Sequence, residues 1–250
     1  MKIKILIIFI YPFILVAQSG MEIASMLDKK PAPDNLVNNI RMILTNSKGK
    51  SRINTMMSKS INKNKKQIIW FLEPKDDRGV SFLKIEHDDR DDAMRMWLPA
   101  FKKVRRISAK KKGDAFMGSD LSFEDLSSRE LINNNYSRLE DGMLDNQSCY
   151  VLETIPKKVA RSSYSKHISW IDKNTINLLK EHSYNKRGEL KKEKDFHYDI
   201  ISNYQILKRV FVKDVLDQHT TEVIFSEIKI DVELNENLFH EKNLKRIPRE

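Results

Sequence analysis

Cysteine is almost missing from the sequence. The 250-residue chain holds one, Cys149, so no internal disulfide can form and packing alone must hold the fold. Cys149 lies in the strand-like run CYVLETI, where a buried, inert thiol is expected. Glycine and proline are scarce, at seven each. There is no glycine-rich phosphate loop, no Gly-x-Ser-x-Gly elbow, no low-complexity linker and no repeat of fixed period. The six histidines (His87, His167, His182, His197, His219 and His240) never stand at i, i+4 or in a Cys/His ligand pattern. His167 and His197 fall mid-strand among polar neighbours and read as solvated residues. Nothing in these patterns points to an enzyme, a metal or a cofactor, and none of the three is expected.

Long apolar runs are missing as well, apart from the first residues. Met1 to Lys4 is a short basic region, Ile5 to Val16 is apolar, and Ala17-Gln18-Ser19 supplies small residues for a peptidase. This is the three-part pattern of a secretory signal peptide, and its apolar core is too short to span a bilayer. The expected organisation is a leader at residues 1–19, cleaved near Ser19/Gly20, and one domain at 20–250. That places the mature chain in the periplasm. No cysteine stands directly after the apolar run, so the acceptor of a bacterial lipid anchor is missing there and no such anchor is expected.

The formal charge is +10, two less once Lys2 and Lys4 leave with the leader. An exported basic protein meets anionic membrane surfaces and acidic partners rather than nucleic acid.

Most of the chain alternates with period two. Runs at Val37–Thr45, Arg52–Lys59, Lys66–Leu72, Val80–Ile85 and Met94–Leu98 are separated by turn signals. A second series follows at Ser148–Ile155, Tyr164–Ile171, Thr175–Tyr184, Glu189–Ile200, Ile206–Val212 and Thr220–Val232. In the last run Ile224, Ile228, Ile230 and Val232 are read on one face. Asn185 to Gly188 is a hairpin signal, because asparagine and glycine tolerate positive φ. This pattern predicts roughly a dozen strands in one antiparallel sheet or barrel. Helices are expected around Ile23–Leu27, Phe123–Leu131 and Asn237–Leu244, and Ser122 to Asp125 has capping-box spacing. Ten methionines, several on strands of the first half, supply the adaptable apolar surface that suits a cavity.

MRMWLPAFKKVRRISAKKKGDAFMGSDLSFEDL, ending at Leu126, resembles a signature of the outer-membrane lipoprotein-sorting (LolA-like) family, in which "lyLPalkkvrRi" precedes "sFmGSDfsyeDL". Phe71-Leu72-Glu73-Pro74 through Arg78-Gly79 is similar to that family's "F-x-x-P…r-G" turn. Phe225 to Ile230, Leu238-Phe239 and Leu244-Lys245-Arg246 resemble its closing strand and helix. One position departs. The founding carriers place an arginine just before the proline, where this chain has Glu73.

The resemblance implies a mainly β fold: about eleven antiparallel strands curled into an unclosed barrel, with a few short helices as lid. It implies a non-enzymatic periplasmic carrier that holds acyl chains of a lipoprotein or other lipid and passes them toward the outer membrane. An inner-membrane transporter and an outer-membrane acceptor are the implied partners, and the protein is expected to be a monomer. The alternative is an accessory or sensor subunit of a membrane transporter, using the same fold as an interaction module. For the apolar cavity the expected residues are Met42, Leu44, Met56, Trp70, Leu72, Phe82, Met94, Met96, Leu98, Phe116 and Met117. A cationic hairpin of Lys102, Lys103, Arg105, Arg106, Lys110, Lys111 and Lys112 is expected to meet a membrane or partner. Asp120, Glu124 and Asp125 are expected to brace the loop beside it.

Overall fold

The structure, a computed structural model, describes residues 18–247. The expected leader lies almost wholly outside them. Gln18 and Ser19 are described, and they pack onto the fold. Gln18 accepts a hydrogen bond from Tyr150 Oη at 3.0 Å. Ser19 caps helix α1 (Gly20–Asp28), exchanging bonds with Glu22 in a full capping box. Ile23 and Ala24 form the buried stripe of α1.

Fourteen strands follow among the described residues, not about eleven. They are β1 (Leu36–Thr45), β2 (Ser51–Ile61), β3 (Lys66–Glu73), β4 (Ser81–Ile85), β5 (Ala93–Leu98), β6 (Lys103–Ile107) and β7 (Asn134–Arg138). Then come β8 (Gly142–Leu144), β9 (Gln147–Pro156), β10 (Lys166–Asp172), β11 (Leu178–Tyr184), β12 (Leu190–Ile201), β13 (Tyr204–Asp214) and β14 (His219–Ile230). The three strands that periodicity does not reveal are β6, β7 and β8. β6 buries only Ile107, so it has no apolar face to alternate. The other two are short, at five and three residues.

All strands join one antiparallel sheet in the order β6-β5-β4-β3-β2-β1-β14-β13-β12-β11-β10-β9-β7, with β8 paired to β9. The turns follow their sequences. In β1–β2 and β11–β12, Asn46 and Asn185 each accept two backbone N–H bonds through Oδ1. Gly49 and Gly188 follow at φ +76° and +80°, values that favour glycine.

A flat sheet of this order would hold its edges roughly 60 Å apart. Here Arg161, just past β9, pairs with Asp91 of the β4–β5 loop at 2.9 Å. Lys112, just past β6, donates to the Ala160 carbonyl at 2.5 Å. The sheet therefore curls until its two ends nearly meet, while β6 and β7 stay unpaired with each other. The result is an unclosed barrel with an inner and an outer face.

The expected lid helices are reduced. α1 is the one α-helix among the described residues, and the regions around Phe123–Leu131 and Asn237–Leu244 form 3-10 turns. The turns Glu236–Phe239 and Glu241–Lys245 cover the outer face. There Phe239 and Leu244 bury against Ile61, Ile68, Trp70 and Leu83. The single face expected for the end of β14 is also corrected. A register shift opposite Val37–Asn39, with Glu227 at φ +49°, interrupts the strand. Val223 and Phe225 point to the inner cluster before it, so Ile224 does not share a face with them, and the bulge resets the parity of Ile228 and Ile230. Cys149 is buried and unpaired, as expected.

Candidate functional site

The inner face has two differently built halves. Along β1 to β5, β13 and β14 it is mainly apolar, with the ammonium of the buried Lys84 bonded to Glu86 at 2.6 Å and to the Leu126 carbonyl at 2.8 Å. Ile40, Met42, Leu44, Met56, Ile69, Phe71, Phe82, Met94 and Met96 meet Val210, Val212 and Val223 there. Successive strands bring alternate residues to this face. Met94 and Met96 point in while Trp97 packs on the outer cluster.

The loop at 113–126 fills the space over this lining. Met117 and Gly118, at φ +50° and +77°, turn the chain back on itself. Phe116 N–H donates to the Leu121 carbonyl at 2.7 Å and closes the turn. The loop thereby drives Phe116 and Phe123 into the barrel. Their rings stand edge-on at 5.7 Å, and Phe82 lies 5.3 Å from Phe116 and 5.7 Å from Phe123. Such offset aromatic contacts add to plain burial.

The other half of the inner face is charged. Tyr164 precedes β10, which brings in His167 and Ser169. β11 brings Glu181 and Ser183, and β12 brings Lys192 and Lys194; all seven are buried. The loop supplies Asp125, and Arg129 just beyond it joins the same cluster. Asp125 Oδ2 accepts from Lys192 Nζ and Tyr164 Oη, each at 2.9 Å, while Lys194 Nζ donates to Oδ1. Lys194 also donates to Glu181 at 3.1 Å, and Arg129 grips both Glu181 oxygens, at 2.5 and 2.8 Å. Ser169 donates to Glu181 at 3.1 Å.

The cluster sets its own charge states. Burial alone would raise the Asp125 carboxyl, but Lys194 and Lys192 overcome it and hold the group well below the carboxylate range. Glu181 is likewise held low, burial being outweighed by Arg129 and Lys194. Burial, with Arg129 beside it, keeps His167 well below its usual range and therefore neutral. Burial lowers Lys192, against the pull of Asp125. Each ion is paired, as low-dielectric surroundings demand.

The three acids expected to brace the loop each bond across it. Asp120 accepts from Thr221 Oγ1 at 2.7 Å and lies 2.8 Å from His219 Nδ1. Glu124 accepts from the Ser163 N–H and Oγ, at 2.8 and 2.7 Å. Asp125 and Ser122 exchange backbone–side-chain bonds at 2.8 and 3.2 Å.

Of the expected cavity residues, Met42, Leu44, Met56, Phe82, Met94, Met96 and Phe116 converge on the apolar half, with Leu98 and Met117 against its margin. Trp70 and Leu72 do not. Trp70 belongs to the outer cluster under Phe239 and Leu244. Leu72 is the extra residue of a bulge, since Thr55 pairs with Glu73 and Met56 with Phe71. In the expected cationic stretch, Lys102, Lys103, Arg105, Arg106, Lys110 and Lys111 are exposed along the sheet's edge strand and the turns on either side of it. Lys112 departs from them, turning inward to the Ala160 carbonyl. His167 is also corrected: it is buried against Ser183 Oγ at 2.9 Å, not solvated. Periodicity misses Phe123, Arg129, Tyr164, Glu181, Lys192 and Lys194. A cavity of about 380 Å³ remains between α1 and the loop, lined by Leu27, Leu121, Leu152, Phe196, Glu181 and Lys194 among others.

An unclosed antiparallel barrel with an internal loop defines a class already known. A LolA superfamily protein from Nitrosomonas europaea shares the fold, with TM-score 0.72 at 17% identity, over 90% of this chain and 99% of that one. A domain assigned to outer membrane lipoprotein sorting, from Vibrio parahaemolyticus, is 31% identical. It has TM-score 0.85 over 91% of this chain and 98% of its own. A DUF1329 family protein from Desulfovibrio piger is 27% identical, with TM-score 0.85 over 90% and 97%. A family model described as an uncharacterized protein matches residues 63–246. No protein of curated function matches the sequence. The chain belongs to the outer membrane lipoprotein-sorting protein family, LolA-like in fold.

Proposed function

We propose that this protein is an exported, periplasmic carrier that holds acyl chains of a lipoprotein or another lipid against the apolar half of its inner face. The observation that carries this reading is the plug itself. Two phenylalanines on a loop, not on the sheet, fill the barrel. An acyl chain exposed to water costs about 0.8 kcal/mol per methylene. A chain that replaces Phe116 and Phe123 exchanges one apolar contact for another and escapes that cost. The methionines of the lining adapt to varied chain shapes.

Lipid extraction and native mass spectrometry on the protein recovered from a periplasmic fraction test the reading. A bound lipid or acylated peptide is expected, and the Phe116→Ala/Phe123→Ala variant should take up a fluorescent fatty acid more readily than the parent. No lipid and no uptake by either form would end the carrier reading. N-terminal sequencing of the same material should find a start between Gln18 and Gly20.

The second reading is an accessory module of an inner-membrane transporter. It is favoured by the same side chains if they never leave, since the barrel is then full. A stable complex with a membrane protein and no extractable lipid would support it. In either reading the exposed cations from Lys102 to Lys111 face anionic headgroups or an acidic partner. Binding to anionic vesicles that weakens as salt rises is the expected result.

A further inference from the structure

Taking the carrier reading as its basis, we propose that the cargo carries an anionic group next to its acyl chain, and that Asp125 occupies that group's place. Lys192, Lys194 and Tyr164 form the receiving site.

Phe123 and Asp125 are two positions apart on the same turn, and both are buried. A ligand cannot displace Phe123 from the apolar half without drawing Asp125 from the charged half. The groups left behind belong to the sheet and its margins. With Asp125 withdrawn, the buried ammonium groups of Lys192 and Lys194 face the single carboxylate of Glu181. Tyr164 Oη loses its acceptor at 2.9 Å. Uncompensated buried charge is strongly unfavourable. A neutral amphiphile would leave that imbalance in place. An anion restores the balance.

The site has the geometry for such a group. Asp125 presents two oxygens to two ammonium groups and one phenol, an arrangement that a carboxylate or a phosphate reproduces. The charged pocket adjoins the apolar lining through Phe196, which packs on the apolar cluster one inward position along β12 from Lys194. The cavity of about 380 Å³ beside Lys194, Glu181 and Leu121 gives a way in. The loop therefore mimics its ligand twice, with Phe116 and Phe123 standing for an acyl chain and Asp125 for the headgroup.

The test uses the exported chain and three single-chain probes: oleate, oleyl phosphate and oleyl alcohol. Each is titrated below its micellar range by displacement of a fluorescent acyl probe. At least one anion should bind tenfold or more tightly than the alcohol. Preference for oleate assigns a carboxylate, and preference for oleyl phosphate assigns a phosphate. Asp125→Asn, which removes the charge every ligand has to displace, should tighten all three probes alike and leave the anion-to-alcohol ratio unchanged, and Lys192→Met with Lys194→Met should bring that ratio to one. If the double variant does not fold, Tyr164→Phe, which removes one donor, should narrow the ratio severalfold. Equal binding of all three probes, or a preference that survives loss of both lysines, overturns this proposal and leaves the carrier intact. Failure of every probe to bind, in the parent and in Phe116→Ala, removes the carrier reading and this one with it.

Discussion

Met42, Met56, Met94 and Met96 line one half of the inner face; His167, Glu181, Lys192 and Lys194 line the other. The side chains of both halves are buried, and both halves are covered by the same loop. Their physics differs. In the apolar half, each side chain contributes through the area it removes from water, and neighbours can shift to share a loss. In the charged half, each group is tolerated only because its partners are in place, so one removal leaves a charge buried and unpaired. The apolar half should yield gradually and the charged half abruptly.

The largest effect is expected in the charged half. Lys194→Ala strands Asp125 and Glu181 against fewer cations and should cost about 3–5 kcal/mol in urea unfolding. A loss below about 1 kcal/mol would show that the cluster is not coupled. In the apolar half, Met56→Ala should cost about 3 kcal/mol, and Met56→Leu less than about 1.5 kcal/mol. Comparable losses for Leu and Ala there would erase the contrast between the halves.

Acid should sharpen the contrast. His167, Asp125 and Glu181 all have folded-state values held down, so the unfolded chain binds more protons and stability falls with pH. The histidine's share is complete above its ordinary value near 6.5 and fades as pH falls below it. The carboxylates' share is complete above about 4 and fades below that. His167→Gln should flatten the first decline and spare the second, as read from denaturation midpoints between pH 7 and 3. The smallest effect belongs to the exposed edge. Arg105→Ala should stay within about 0.5 kcal/mol in the same assay.

The two halves also differ in how much the sequence disclosed. Met94, Met96 and Leu98 alternate with Arg95 and Trp97, so the inward face of β5 is legible. β3 is apolar on both faces, because Phe71 enters the inner cluster while Ile68 and Trp70 enter the outer one. Its parity therefore cannot be read, and Trp70 falls on the wrong side. In β12 the run Lys191 to Asp195 is charged at every position, and only pairing with Asp125 and Glu181 reveals which lysines point in. Arg129 and Asp125 are distant in sequence from β11 and β12, so the cluster they complete is a product of tertiary structure. The loop is legible through its motif, and Asp120, Glu124 and Asp125 through their place in it.

The strand order carries a consequence for how the chain reaches this structure. From β1 to β6, and again from β9 to β14, every strand pairs with the next one in sequence. Each of these two meanders can zip up hairpin by hairpin, with little entropy lost per closure. Only the pairing of β1 with β14, such as Leu44 with Thr221, joins residues near opposite ends of the chain. That seam is the most distant strand pairing in the sheet, and slow folding follows from such contacts. Until it forms, β1 and β14 are both open edges, each offering unpaired backbone groups to other chains. The chain is thus most exposed to aggregation at a late stage, when it is two nearly finished sheets waiting to be joined.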